Sequence, residues 1–191
     1  MARSGDFAIG LLIVGVCFGV VVTYSLSSPF IIEKAFGFSA VVTGYGSLLS
    51  GFSIMVGGII AKSLIKKPLI KKVVTALVIQ VILVLLMIFT VPLASNIFSL
   101  IGFTMCIHIS GGFIFNIIYG YCMSRFTKNA GVASGITGGS MYMLSSLFSY
   151  GFANLYAIKS QFLLGVANAS LITMIIVLFA FFVPAMKLAK R

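Results

Sequence analysis

One histidine stands in the middle of a long apolar stretch, and its neighbours at helical spacing are small, polar or aromatic. Thr104, His108, Gly112, Phe115 and Tyr119 recur every three or four residues, which puts them on one face of a helix. Asn116 lies close to the same stripe. An imidazole changes charge near neutral pH, so a histidine lining a watery path can gain or lose a proton as cargo passes. A neutral histidine hydrogen-bonded to a neighbouring helix would hold the same position for purely structural reasons. Polar groups facing hydrocarbon are costly, so the stripe must point into a bundle or a hydrated cavity. Tyr24, near the end of the first apolar segment, reads as an interfacial anchor. Gln80 reads as a contact between packed helices.

Other chemistry is sparse. The only acids are Asp6 and Glu33, both at the ends of apolar segments, where hydration is expected to support their charge. A relay of buried carboxylates is therefore not expected, and Glu33-Lys34 reads as a solvated pair. Cys17, Cys106 and Cys122 lie inside apolar segments without metal-ligand spacing and read as small hydrophobes. No metal, cofactor or catalytic residue is expected. The methionines, Met141 and Met143 among them, read as core filling, with an adaptable surface for varied apolar cargo as the alternative. Ser140 after Gly138-Gly139 superficially resembles the glycine-serine context of rhomboid proteases, but His108 precedes the serine, the reverse of the order in that family.

The elements that must carry these residues follow from composition. Of 191 residues, 61% are hydrophobic and 8% charged, against roughly 25% charged in soluble domains. That excludes a soluble enzyme and leaves the lipid bilayer as the suitable solvent. A spanning helix takes about 20 apolar residues, so the chain has room for about six. The segments are 7–26, 39–65, 69–91, 96–124, 130–156 and 161–183. Ser39 is placed to cap the second helix, and Pro92 and Pro184 to end the third and sixth. The expected fold is all-α: a polytopic membrane protein whose residues 1–191 form a single six-helix transmembrane bundle.

The net charge of +11, from 13 Lys and Arg against two acids, would suggest nucleic acid in a soluble domain. Here the basic residues fall in short runs between apolar segments and read as topology signals, so no nucleic-acid partner is expected. With a cytoplasmic N-terminus, Arg3, Lys62, Lys66, Lys67, Lys71, Lys72, Arg125, Lys128, Lys187, Lys190 and Arg191 all lie inside, and only Lys34 and Lys159 outside. The positive-inside bias thus places both termini in the cytoplasm. The first segment is longer than a signal-peptide core and is followed by Pro29, which favours a retained helix over a cleaved leader.

Glycine divides the helices into two groups. The first, second, fourth and fifth segments hold three to five glycines each, whereas the third has none and the sixth only Gly165. Small residues let helices approach closely in lipid, so Gly15 and Gly19, and the ladder Gly131, Gly135 and Gly139, are expected at packed interfaces. The third and sixth helices are expected to face lipid. The third of each three helices is thus the apolar one, and three spans reverse the chain. Two inverted triplets are the repeat logic of many secondary transporters, although no repeat is visible in the residues themselves.

The stretch Tyr24-Ser25-Leu26-Ser27-Ser28-Pro29-Phe30-Ile31, with Phe36-Gly37-Phe38-Ser39, resembles the seventh helix and following loop of Bcr/CflA-type drug/proton antiporters of the major facilitator superfamily. Gly58-Ile59-Ile60-Ala61-Lys62 and its basic loop resemble the degenerate second copy of that superfamily's glycine-basic motif. Asn129-Ala130-Gly131-Val132-Ala133-Ser134-Gly135 is similar to the opening of its eleventh helix. The resemblance implies that residues 7–186 correspond to helices 7 to 12, the C-terminal half of a twelve-helix transporter. The N-terminal half, with the family's main acidic proton-coupling residue, has no counterpart in the chain, and Lys62 departs from the motif's expected pattern.

What the resemblance implies is multidrug efflux across a bacterial inner membrane, with a hydrophobic small molecule as substrate and a proton as coupling ion. The substrate-pathway candidates are Tyr24, His108, Phe115, Asn116 and Tyr119, with Gly58 and Lys62 in the cytoplasmic loop motif. One bundle would need a separate N-terminal half or a second copy of itself as partner, within the lipid bilayer. The alternatives are an inactive truncated transporter and a non-transporting six-helix scaffold or assembly protein.

Overall fold

The computed structural model describes residues 5–155 and 158–189. Six long helices account for most of them: α1 (Gly5–Pro29), α2 (Ala40–Ser63), α3 (Leu69–Ala94), α4 (Ile97–Ser124), α5 (Ala130–Leu155) and α6 (Gln161–Leu188). A π-helical turn, Phe30–Ala35, extends α1, and a short 3-10 turn, Thr127–Asn129, leads into α5. Arg3, Lys190, Arg191 and the expected end of the fifth helix at Tyr156 lie outside the described residues.

Local chemistry sets several of these boundaries. The Asn96 side chain accepts a hydrogen bond from the Ser99 amide at 2.9 Å, and Ser160 accepts one from the Leu163 amide at 3.2 Å, so α4 and α6 each start at a true cap. Ser39 has the extended backbone of a cap residue but makes no side-chain cap bond. Gly37 takes a left-handed φ of 73° in the turn before α2, a conformation that favours glycine. The prolines do not act as expected. α3 continues past Pro92 to Ala94, and α6 past Pro184 to Leu188. A proline near a helix end forfeits one backbone hydrogen bond, and lipid offers the remaining groups no competing partner.

Among the described residues, α1, α2, α3, α4 and α6 are long and apolar enough to cross a membrane. α5 is not among them, because Gly131, Ser134, Gly135, Thr137, Gly138, Gly139 and Ser140 dilute its apolar content. It nevertheless lies alongside α1. The rings of Phe18 and Tyr142 meet edge to face at 5.7 Å, Gly15 abuts Leu144 and Gly19 abuts Phe148. These contacts run in the same chain direction on both helices, so α5 is parallel to α1.

The packing scheme is symmetric. α1 packs on α4, α5 and α6, α4 packs on α1, α2 and α3, and α3 packs on α6, while the chain neighbours α1 and α2, and α4 and α5, touch only slightly. Exchanging α1 with α4, α2 with α5 and α3 with α6 turns this scheme into itself. α2 also runs parallel to α4, as α5 does to α1: Ser50 meets His108, and Gly58 meets Asn116. α1 and α4 are antiparallel, since Tyr24 meets His108 and Asp6 meets Tyr121. The two helical triplets are therefore arranged as an inverted repeat, each lending its second helix to the first helix of the other.

Glycine contacts mark the closest approaches. A Cβ on Gly57 would lie 2.7 Å from the Phe113 backbone nitrogen, and one on Gly112 would lie 2.7 Å from the Ile54 carbonyl oxygen. α2 and α4 thus cross backbone to backbone. Gly15 and Gly19 are at a packed interface as expected. The ladder Gly131, Gly135 and Gly139 is not: nothing lies within 4 Å of a Cβ at any of the three. The helix presents Ala133 and Thr137 inward instead, and both are buried. The glycine count of α5 describes a helix with a smooth outer face, not one sunk in the bundle. α3 and α6 do carry the apolar outer faces expected of lipid-facing helices, including Ile82, Leu86 and Phe89 on α3 and Val177 and Phe181 on α6. Each also has a buried face, and Gly165 of α6 receives Ile88 of α3.

Candidate functional site

The polar stripe of α4 is divided among three places. Its upper part lies inside the bundle. His108 is 1% exposed, and its Nδ1 is 2.7 Å from the Ser50 hydroxyl of α2. The Tyr24 ring of α1 stands edge-on to the imidazole, 5.5 Å between centroids, and the Tyr24 hydroxyl fills the space that Gly46 leaves beside α2. Three helices are thereby joined through one histidine. In the tautomer protonated at Nε2, the serine donates to Nδ1. The Val20 backbone of α1 is a further polar neighbour of the imidazole, and among the described residues no well-formed hydrogen bond reaches Nε2 or the nearby Thr104 hydroxyl, one turn earlier.

A serine bonded to a histidine is the first half of a nucleophilic dyad. Here both residues are sealed, Ser50 at 3% exposure, and among the described residues no carboxylate contacts the ring. The arrangement holds helices together; in this conformation neither Tyr24 nor His108 faces an open path. Ser50, which the sequence reading does not single out, is the residue that positions the histidine. Its only sequence signal is a place among the glycines and serines of α2.

The lower part of the stripe separates. Phe115 and Tyr119 stack at 5.7 Å with ring planes 13° apart, and the Tyr119 hydroxyl reaches Ser134 of α5 at 3.4 Å. Both rings are partly exposed. Asn116 turns away from them. Its amide donates to the Gly112 carbonyl at 2.8 Å and packs on Gly58 of α2. Asn116, Gly58 and Lys62 together line a cleft between the ends of α2, α3 and α4. The five pathway candidates therefore form two pairs and one separate residue, not a continuous wall.

A fourth polar group is one whose placement the sequence reading misjudges. Asp6 is not hydrated at a boundary but 1% exposed. Arg125 Nε lies 2.9 Å from its Oδ2, and the Tyr121 hydroxyl donates to the same oxygen at 2.7 Å. The carboxylate staples the start of α1 to the end of α4, and without Arg125 its charge would be strongly disfavoured there. Nor do Glu33 and Lys34 form a pair. Glu33 accepts from the Thr43 hydroxyl at 2.9 Å, and the Lys34 ammonium lies over the Phe30 ring.

Further polar contacts join α4 to α3 and α6. Gln80, as expected of a packing contact, donates to the Ile107 carbonyl at 3.4 Å, Ser110 donates to the Ala76 carbonyl at 2.9 Å, and Gln161 donates to Ser99 at 2.8 Å. Cys17 and Cys122 are buried, Cys106 is exposed, and all three are free thiols. Fold and composition together define a helical integral membrane protein. No protein-family model matches the chain, and no curated protein matches it.

Proposed function

We propose that this chain is one six-helix half of a secondary transporter, of the drug/proton antiporter type that its sequence resembles, and that it works against a second six-helix bundle. The carrying observation is the inverted repeat of α1–α3 and α4–α6, the architecture in which transporters alternate access around a site between bundles. In this reading all six helices cross the membrane, and the lysine-rich ends of α2 and α3 face the cytoplasm.

The face that meets the second bundle is formed by α2 and α5. On α2, Val41, Tyr45, Leu48, Phe52, Met55 and Ile59 are all more than half exposed and alternate in steps of four and three, the spacing of a helix-packing seam. On α5 the outer face carries Gly131, Gly135 and Gly139. A helix too poor in apolar residues to span alone is better placed between two bundles than against lipid. The stacked Phe115 and Tyr119 would then lie where cargo passes.

A specific observation favours a second reading. Tyr24 and His108 are sealed from any open path, as suits a scaffold that transports nothing. Cysteine substitution at Phe52, Tyr119 and Gly135 in native membranes, with labelling by a water-soluble maleimide, separates the two. A transporter half gives labelling at these positions that a hydrophobic cation alters. Full protection at all three, with no effect of cation, refutes the transport reading and leaves the scaffold.

A further inference from the structure

The cleft at the ends of α2, α3 and α4 has a chemistry that the transport reading does not use. It encloses about 570 Å³, and its walls include Lys62, Lys67, Lys72, Asn116, Tyr121 and Ser124. Lys62 comes from the last turn of α2, Lys67 from the connecting turn and Lys72 from the first turn of α3. Three separate pieces of chain thus bring three ammonium groups to one concavity. Among the described residues none of the three forms an ion pair. The nearest acid, Asp6, behind Tyr121, is already neutralised by Arg125. The cleft therefore holds three positive charges with no counter-charge from the described chain.

Its surroundings identify the missing anion further. Leu69, on the wall, opens α3, and that helix start has no side-chain cap, which adds the positive end of a helix dipole to the lysines. Ile65, also on the wall, is 72% exposed, and Leu64 beside it is exposed as well. An anion seated there has polar donors on one side and the apolar flank of Leu64 and Ile65 on the other. A free phosphate would use only the first; an acidic lipid would use both. Basic pockets between helices at the cytoplasmic surface suit such headgroups.

We propose that this cleft binds the phosphate headgroup of an acidic phospholipid, with Lys62, Lys67 and Lys72 on the phosphate, the second amide hydrogen of Asn116 as a neutral donor, and the acyl chains along Ile65. The proposal needs only that the protein lies in a membrane, so it stands or falls independently of transport.

The test is native mass spectrometry of the detergent-purified full chain, titrated with phosphatidylglycerol, phosphatidylcholine or inorganic phosphate. The wild-type protein is expected to retain phosphatidylglycerol over phosphatidylcholine, with no displacement by millimolar phosphate. Near a membrane surface a lysine is worth about fivefold in binding to acidic lipid. The variant Lys62→Gln/Lys67→Gln/Lys72→Gln should therefore lose retention by on the order of tenfold or more. Lys66→Gln/Lys71→Gln/Lys128→Gln removes equal charge outside the cleft and should retain the lipid within about twofold. Equal loss in both variants would reduce the effect to general surface charge and overturn the site. Equal retention of the two lipids, or displacement by phosphate, would overturn the lipid assignment, and both are read on the wild-type protein even if a triple variant fails to fold.

Discussion

The α2–α4 crossing makes a quantitative demand on Gly57. The Cβ of an alanine there would meet the Ile109 carbonyl oxygen first, and would lie 2.7 Å from the Phe113 nitrogen and 3.1 Å from the Gly112 carbonyl carbon. All three are backbone atoms, so no side-chain rotation relieves the clash. An ordinary contact begins at 3.4 Å, so clearing the Phe113 nitrogen alone parts the helices by about 0.7 Å and clearing the Ile109 oxygen by more, a gap that forfeits a quarter to a half or more of each dispersion contact along the seam. Overpacking of this kind costs about 1–3 kcal/mol. Gly135→Ala is the matched control. Its Cβ would meet nothing, and alanine gains up to about 1 kcal/mol of helix propensity over glycine. That propensity gain is common to both variants, so they should differ by about the overpacking cost alone, roughly 1–3 kcal/mol, with Gly57→Ala the less stable. The assay is thermal reactivity of the buried thiols of Cys17 and Cys122 toward a maleimide dye, in a Cys106→Ser background that removes the exposed thiol. Gly57→Ala should lower the transition midpoint, while Gly135→Ala leaves or raises it. Equal midpoints, or the larger loss in Gly135→Ala, would refute the backbone crossing and return the α5 ladder to a packed interface.

Other residues give sharper local tests. Arg125→Ala leaves the Asp6 carboxylate buried with only Tyr121, and should cost about 2 kcal/mol in the same assay, whereas Lys128→Ala, on an exposed side chain, should change little; similar effects of the two would deny the staple. Ser50→Ala strips the histidine of its partner, at about 1–2 kcal/mol, but Ser50→Ala/His108→Phe removes both polar groups and should recover most of that loss. A double variant as unstable as the two single losses added together would show that His108 is held by something other than Ser50. Reporter fusions after Lys67 and Lys128 should both report the cytoplasm; an external signal at either site overturns the orientation.

The solvent and the elements were legible in the sequence, because both follow from composition along one dimension. The six helices begin and end within a few residues of the apolar segments, apart from the overruns at Pro29, where the first helix continues to Ala35, and at Pro92 and Pro184, and the apolar faces of α3 and α6 lie outward. Gly15 and Gly19 also read correctly, because a spacing of four places both on one face whatever the partner.

Tertiary structure alone decided which faces meet. In a soluble protein the buried face is the apolar one, so a periodic sequence reveals its own inside. In lipid the outside is as apolar as the core, and that signal is missing. Gly57 and Gly131 therefore look alike in the sequence, yet one is pressed against a neighbouring backbone and the other faces open space. The same reason hid the partners of the polar groups. Ser50 lies 58 positions from His108, and Asp6 lies 115 from Tyr121; nothing in the spacing pairs them. Ser50 and His108 meet because the triplets exchange their second helices, a choice made by backbone packing between α2 and α4 and between α5 and α1, and Asp6 and Tyr121 meet because the first helices of the two triplets, α1 and α4, pack antiparallel.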